Sequence, residues 1–76
     1  MNDRERQIAE RYREQGWKPL RNGAPDFLML KVIDGDIKEM MAVEVKRKGA
    51  RLTYEQGVWR KVCEKAGVPF KVEVVA

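Results

Sequence analysis

Apolar and polar positions change their spacing three times along this chain. Residues 2–15 contain neither glycine nor proline. On a helical wheel of 100° per residue, Ile8, Ala9 and Tyr12 share one face with Glu5, while Arg4, Arg6, Arg11, Arg13 and Glu14 spread over the rest. Gly16 supplies the stop, since glycine readily takes the left-handed backbone that ends helices. From Phe27 to Ile33 and from Ile37 to Val45 strand formers dominate, and Asp34-Gly35-Asp36 between them has the chemistry of a tight turn, so the spacing predicts a β-hairpin. Helical spacing returns in Trp59, Val62, Cys63 and Ala66, behind a Thr53-x-x-Gln56 capping pattern, and ends at Gly67. Val68, Phe70, Val72 and Val74 then alternate with Lys71 and Glu73, which predicts a strand with one covered face.

Two shorter stretches complete the order. Trp17 to Arg21 is a brief strand whose Pro19 lacks an amide hydrogen and belongs at a sheet edge, and Asn22-Gly23-Ala24-Pro25 is the loop into the hairpin. Asp26, Leu28, Leu30 and Val32 take one face of the first hairpin strand, with Phe27, Met29 and Ile33 on the other. Both faces therefore read as buried and the strand as central. Helix, three strands, helix, strand predicts one α/β domain over residues 1–76, an α+β arrangement with a mixed sheet in an αβββαβ order, the second helix forming the crossover.

Composition narrows the partners. A 76-residue chain buries only about 60% of its unfolded surface, and Cys63 alone, with no histidine in the sequence, offers neither a disulfide nor a zinc cluster. Association with a second copy, a homodimer, is the remaining source of buried surface. No apolar run approaches the roughly 18 residues of a membrane span, and the first residues form a charged helix rather than a signal peptide, which points to a cytoplasmic protein without membrane contact. Sixteen basic and twelve acidic residues give a net charge of +4, which favours an anionic partner such as nucleic acid.

The hairpin brings candidate chemistry together. If Ile33 pairs with Ile37 across a three-residue loop, Asp26 lies directly opposite Glu44. Opposed side chains have Cβ atoms roughly 4.5–5.5 Å apart, and like charges at that spacing are destabilising unless a cation sits between them. Alternation places Lys46 on the face of Glu44 and Val45 on the other. Asp36-Ile37-Lys38 has the same acid-x-lysine spacing but sits in the turn, where it cannot oppose Asp26. Glu5, on the apolar stripe of the first helix, is either a site residue or an acid favouring the helix dipole. Gln56 is either the capping partner of Thr53 or a group facing the buried side. Arg47-Lys48-Gly49-Ala50-Arg51 is either a solvated connection or, beside the acids, a hold on a phosphate backbone.

Pro25-Asp26 followed by Glu44-Val45-Lys46 resembles the signature of the PD-(D/E)xK nuclease superfamily, and the compact layout is similar to its stand-alone VRR-NUC and Holliday-junction-resolvase branches. The resemblance covers nearly the whole chain and extends to Glu5-Arg6 in the first helix, to Gly23 before the Pro-Asp pair, and to Gln56. It implies a restriction-endonuclease-like core and an endonuclease acting on DNA. It also implies catalytic roles for Asp26, Glu44, Lys46, Glu5 and Gln56, and a metal held by Asp26, Glu44, Glu5 and the carbonyl of Val45. Oxygen ligands suit Mg²⁺ or Mn²⁺, and no organic cofactor is called for. Arg47, Lys48 and Arg51 would contact the nucleic acid. Likeness to junction resolvases implies a homodimer that cuts branched DNA. The alternatives are a general nicking nuclease, a non-cutting nucleic-acid-binding module on the same fold, a small interaction protein, and an exposed Glu44–Lys46 ion pair without chemistry.

Overall fold

The computed structural model describes residues 1–21 and 23–76; Asn22, read as part of the loop before the hairpin, lies outside them. The elements follow as α1 (Asp3–Glu14), β1 (Lys18–Arg21), β2 (Phe27–Ile33), β3 (Asp36–Arg47), α2 (Tyr54–Lys65) and β4 (Phe70–Val75). Both helices begin where the side-chain chemistry sets them. Asn2 caps α1 by accepting from the Glu5 N–H at 2.8 Å. At α2 the Thr53 hydroxyl accepts from the Gln56 N–H at 3.2 Å, and Gln56 Oε1 accepts from the Thr53 N–H at 2.9 Å, so two orphan amide donors are satisfied reciprocally. Gly16 and Gly67, with φ of +89° and +74°, end the two helices as the sequence predicts.

The strands form one sheet in the order β1-β2-β3-β4. The first two ladders are antiparallel and the third is parallel, with α2 as the crossover. β1 and its Pro19 lie on the edge. The hairpin register departs from expectation at its tip. Ile33 pairs with Asp36 rather than Ile37, and Val32 with Ile37, so the loop has two residues, not three. Asp34 and Gly35, at φ +52° and +82°, supply the two left-handed positions that a type I′ turn requires. The register then shifts between Lys31 and Val32, and from Lys31↔Glu39 to Phe27↔Val43 partners total 70. The extra residue, Lys38, is absorbed as a β-bulge.

One face of the sheet holds the core. Ile8, Ala9 and Tyr12 of α1 pack on Phe27, Met29, Val43 and Val75, with Trp17, Met41 and Val45 at the margin. The Tyr12 hydroxyl donates to Glu73 Oε2 at 2.8 Å, tying α1 to β4. Burial, and then the neighbouring carboxylate, raise the Tyr12 pKa well above its usual value, so the phenol remains a neutral donor. Lys31 Nζ lies 4.6 Å from the centre of the Trp17 ring, a cation–π contact over the α1 side of β2.

The second face is not buried as the alternation suggests. Leu28 and Leu30 are half-buried, and Leu20 and Met40 beside them are 53% and 41% exposed. On α2 only Cys63 is buried, while Val58, Trp59 and Val62, and Ala66 at the C-cap, remain exposed. On β4 Val74 is exposed, and the buried residue is Val75, on the α1 side. Measured over the backbone the fold is 39 × 29 × 15 Å, and with packed layers about 10 Å apart that depth corresponds to the sheet and one helix layer rather than helices stacked on both faces. Only Ala42 and Glu44 are fully enclosed on this side of β3. No helix among the described residues is long and apolar enough to cross a membrane.

The two faces are expected to respond differently to truncation. Met29→Ala, in the core, should cost about 2–5 kcal/mol, the range for emptying a packed site, and Leu30→Ala less than half as much. Urea unfolding of the two variants measures this, and equal losses would mean that both faces are packed.

Candidate active site

The site forms where the mouth of the hairpin meets the start of α2. Asp26 immediately precedes β2, and continuing the β2–β3 register sets it across from Glu44, as the sequence predicts. The two acids are held by each other's strands. The Val45 N–H donates to Asp26 Oδ2 at 2.8 Å, and the Asp26 N–H donates to Glu44 Oε2 at 3.3 Å. From α2, Gln56 Nε2 donates to Glu44 Oε1 at 2.9 Å. The two readings of Gln56 are therefore both realised: one end of its amide caps the helix and the other holds Glu44.

Glu44 is 2% exposed, the buried charged residue of the described chain. Burial, followed by the negative charge of Asp26, pushes its pKa up to about 7, against a smaller pull from Lys46. A carboxylate held this way is hydrogen-bonded but not neutralised, since its donors are two amides and its nearest charged neighbour is another acid.

Asp26 and Glu44 border a cleft of about 280 Å³ together with Lys46, Val45 and Gln56. Glu5 borders it too, so the apolar stripe of α1 does carry that acid to the site. Among the described residues, however, no three acidic or other metal-binding side chains converge closely enough to hold an ion; the converging oxygens are those of Asp26 and Glu44. Of the basic loop, Arg47 lines the cleft, whereas Lys48 and Arg51 lie outside it and are exposed. Asp36 and Lys38 sit at the far tip of the hairpin, 3.9 Å apart and exposed.

Ala50 of the basic loop also lines the cleft, as do Asn2 and Arg4, for which the sequence pattern suggested no place there. The signal for Asn2 was available, because asparagine before a charged helical run is a cap. Arg4 had none. The wheel sets it off the apolar stripe, and its place in the cleft follows from where the end of α1 lies rather than from its face.

Two hard carboxylate ligands in a polar cleft suit a small divalent cation, which takes one or two protein carboxylates and completes its shell with water and phosphate oxygens. Comparison with known families decides the affiliation: residues 2–76 match the VRR-NUC domain. The chain belongs to the VRR-NUC family. It is thereby a nuclease domain of the PD-(D/E)xK nuclease-like superfamily, with DNA as its substrate class. Comparison with curated proteins and with solved structures gives no match. In this VRR-NUC domain the Pro-Asp and Glu-Val-Lys segments are the ones that meet at the cleft, joined by the hydrogen bonds described above.

The raised pKa of Glu44 sets a pH dependence. Because the folded state binds its proton more tightly than the unfolded chain, ionising Glu44 opposes folding. The metal-free protein should therefore be most stable below pH 4.5 as far as this group is concerned, and should lose that contribution as pH rises from 4.5 to about 7. Glu44→Gln should remove this part of the profile. Denaturation across that interval in EDTA tests it, and a variant with the wild-type slope would place the titration elsewhere.

Proposed function

We propose that this domain is an endonuclease that hydrolyses DNA phosphodiester bonds with Mg²⁺, or alternatively Mn²⁺, held by Asp26 and Glu44. The observation that carries the reading is the acid pair itself, Glu44 enclosed and Asp26 half-buried beside it with its charge opposing that of Glu44, in a cleft bordered by Lys46 and Arg47. Such a pair is costly to the fold alone and useful to a cation.

A bound Mg²⁺ would neutralise phosphoryl charge and lower the pKa of a water ligand. The protein's own contribution is preorganisation. Asp26 is oriented by the Val45 amide and Glu44 by the Asp26 amide and Gln56, so little reorganisation is needed when the charge is compensated. Glu5 and the carbonyl of Val45 are the further oxygens this reading assigns to the ion. Lys46, on the Glu44 side of β3, supplies a cation that orients the nucleophile or stabilises charge developing on the phosphate. Arg47, Lys48 and Arg51 hold the phosphodiester backbone on either side of the scissile bond.

Assembly as a homodimer is part of the proposal. A compact monomer of 8.9 kDa exposes about 4,800 Å² by the usual mass scaling, whereas this chain exposes 5367 Å², with Leu20, Met40, Val58, Val62 and Val74 open to solvent. Covering such a surface with a second copy would most simply give a two-fold dimer. Two sites in one particle suit paired incisions on a symmetric branched substrate, so four-way junctions should be cut in preference to linear duplex.

Asp26→Asn and Glu44→Gln should each abolish cleavage in Mg²⁺ with the fold intact. Wild-type cutting by either purified variant would overturn the site, and salt-dependent binding by the wild type without any cutting would favour a binding module instead. Lys46→Ala should lower kcat by about 10²–10³-fold, the cost of losing one transition-state donor, with a smaller effect on metal affinity; Glu5→Gln should be milder. Light scattering, together with rates on a junction and a matched duplex, tests the assembly. A strict monomer would remove the paired-cut scheme, and equal rates would remove the junction preference.

A further inference from the structure

Arg4 borders the acid cleft, yet neither helix chemistry nor ion pairing explains it there. It stands in the first turn of α1, where the partial positive charge of the helix dipole favours acids and disfavours cations. Of the two acids of that turn, Asp3 pairs with Arg6 at 3.5 Å and Glu5 enters no ion pair among the described residues, and further along Glu10 pairs with Arg13. Among the described residues Arg4 enters no ion pair and no side-chain hydrogen bond, and the same is true of Arg47 at the end of β3. Glu5, Asp26 and Glu44 line the same small cleft, but none of them is paired with either guanidinium. Two cations with open donors, delivered to one cleft by two separate elements, are arranged for an anion that comes from outside.

We propose that Arg4 is a phosphate-binding residue of the DNA site. It would hold one phosphodiester of the bound strand from α1 while Arg47 holds the strand from β3, so that the backbone is pinned from both elements over the acid pair. The guanidinium fork matches phosphate oxygens bidentately, and because phosphate carries no sequence information the interaction contributes to binding uniformly across sequences. The inference rests on the nuclease reading for its ligand, but not on catalysis.

The test is binding without cleavage. Fluorescence anisotropy of a labelled short DNA duplex, in EDTA over a range of NaCl concentrations, is measured for the wild type, Arg4→Gln, Arg4→Lys and Arg11→Gln. Arg11 is exposed on α1 outside the cleft, and its substitution removes the same charge. Removing one cation from a phosphate reduces the slope of log affinity against log salt by about one, so Arg4→Gln should show that reduction while Arg4→Lys and Arg11→Gln keep the wild-type slope. An unchanged slope in Arg4→Gln overturns the proposal. So do equal reductions in Arg4→Gln and Arg11→Gln, which would reflect net charge, and equal reductions in Arg4→Gln and Arg4→Lys, which would give Arg4 a structural role. A wild type with no salt-dependent binding at all would instead remove the DNA reading on which the inference stands.

Discussion

The enclosure of Glu44 beside Asp26 is the constraint on which the rest of this structure turns. An ionised carboxylate out of water is costly unless it is paired or hydrogen-bonded, and here the neighbouring side chain makes the cost larger. The offsetting donors are the Asp26 amide and Gln56, with the Val45 amide serving Asp26 in turn. None of these is a freely adjustable side-chain contact. Two are main-chain groups that exist at those places only if β2 and β3 keep their register, and the third is fixed by the cap that starts α2. Register and helix start are therefore conditions of the site as well as of the fold.

The bulge at Lys38 acquires its meaning from that condition. Carried straight down from the two-residue turn, the pairing of Ile33 with Asp36 would set Asp26 across from Val43 and turn Glu44 out of line. A shift of one residue in a strand moves its whole side-chain set to the other face. Inserting one residue near the exposed tip, where nothing is packed tightly, restores the register before the strands reach the core. The irregularity thus sits far from the acids and still determines their alignment.

What the sequence revealed follows the reach of each signal. Helix limits were legible because caps and glycine stops are local, and Gly16, Thr53 and Gly67 act within a few residues. The Asp26–Glu44 opposition was legible despite a wrong turn length, because the three-residue loop and the turn-plus-bulge give the same register beyond Lys31. The burial of the second sheet face was not legible. Leu28, Leu30, Trp59 and Val62 have the spacing of core residues, but whether a helix covers them depends on the thickness of the whole fold, which no window of sequence encodes. Arg4 was missed for a related reason: periodicity assigns a residue to a face of its own helix and says nothing of what lies beyond the end of that helix.

Stability and chemistry are separated across the sheet rather than along the chain. Phe27 directly follows Asp26, and Val43 directly precedes Glu44; alternation points both toward α1, where they are fully buried in the core. The same stretches of backbone that hold two repelling acids on one side are thereby anchored by apolar burial on the other, at about 25 cal/mol per Å² of surface removed from water. A small domain has few such anchors, and placing them back to back with the acids lets it keep a costly arrangement at one end of the sheet without loosening the strands that define it. Relief of the carboxylate repulsion need not then reshape the fold, because the positions that would have to move are the ones the core already fixes.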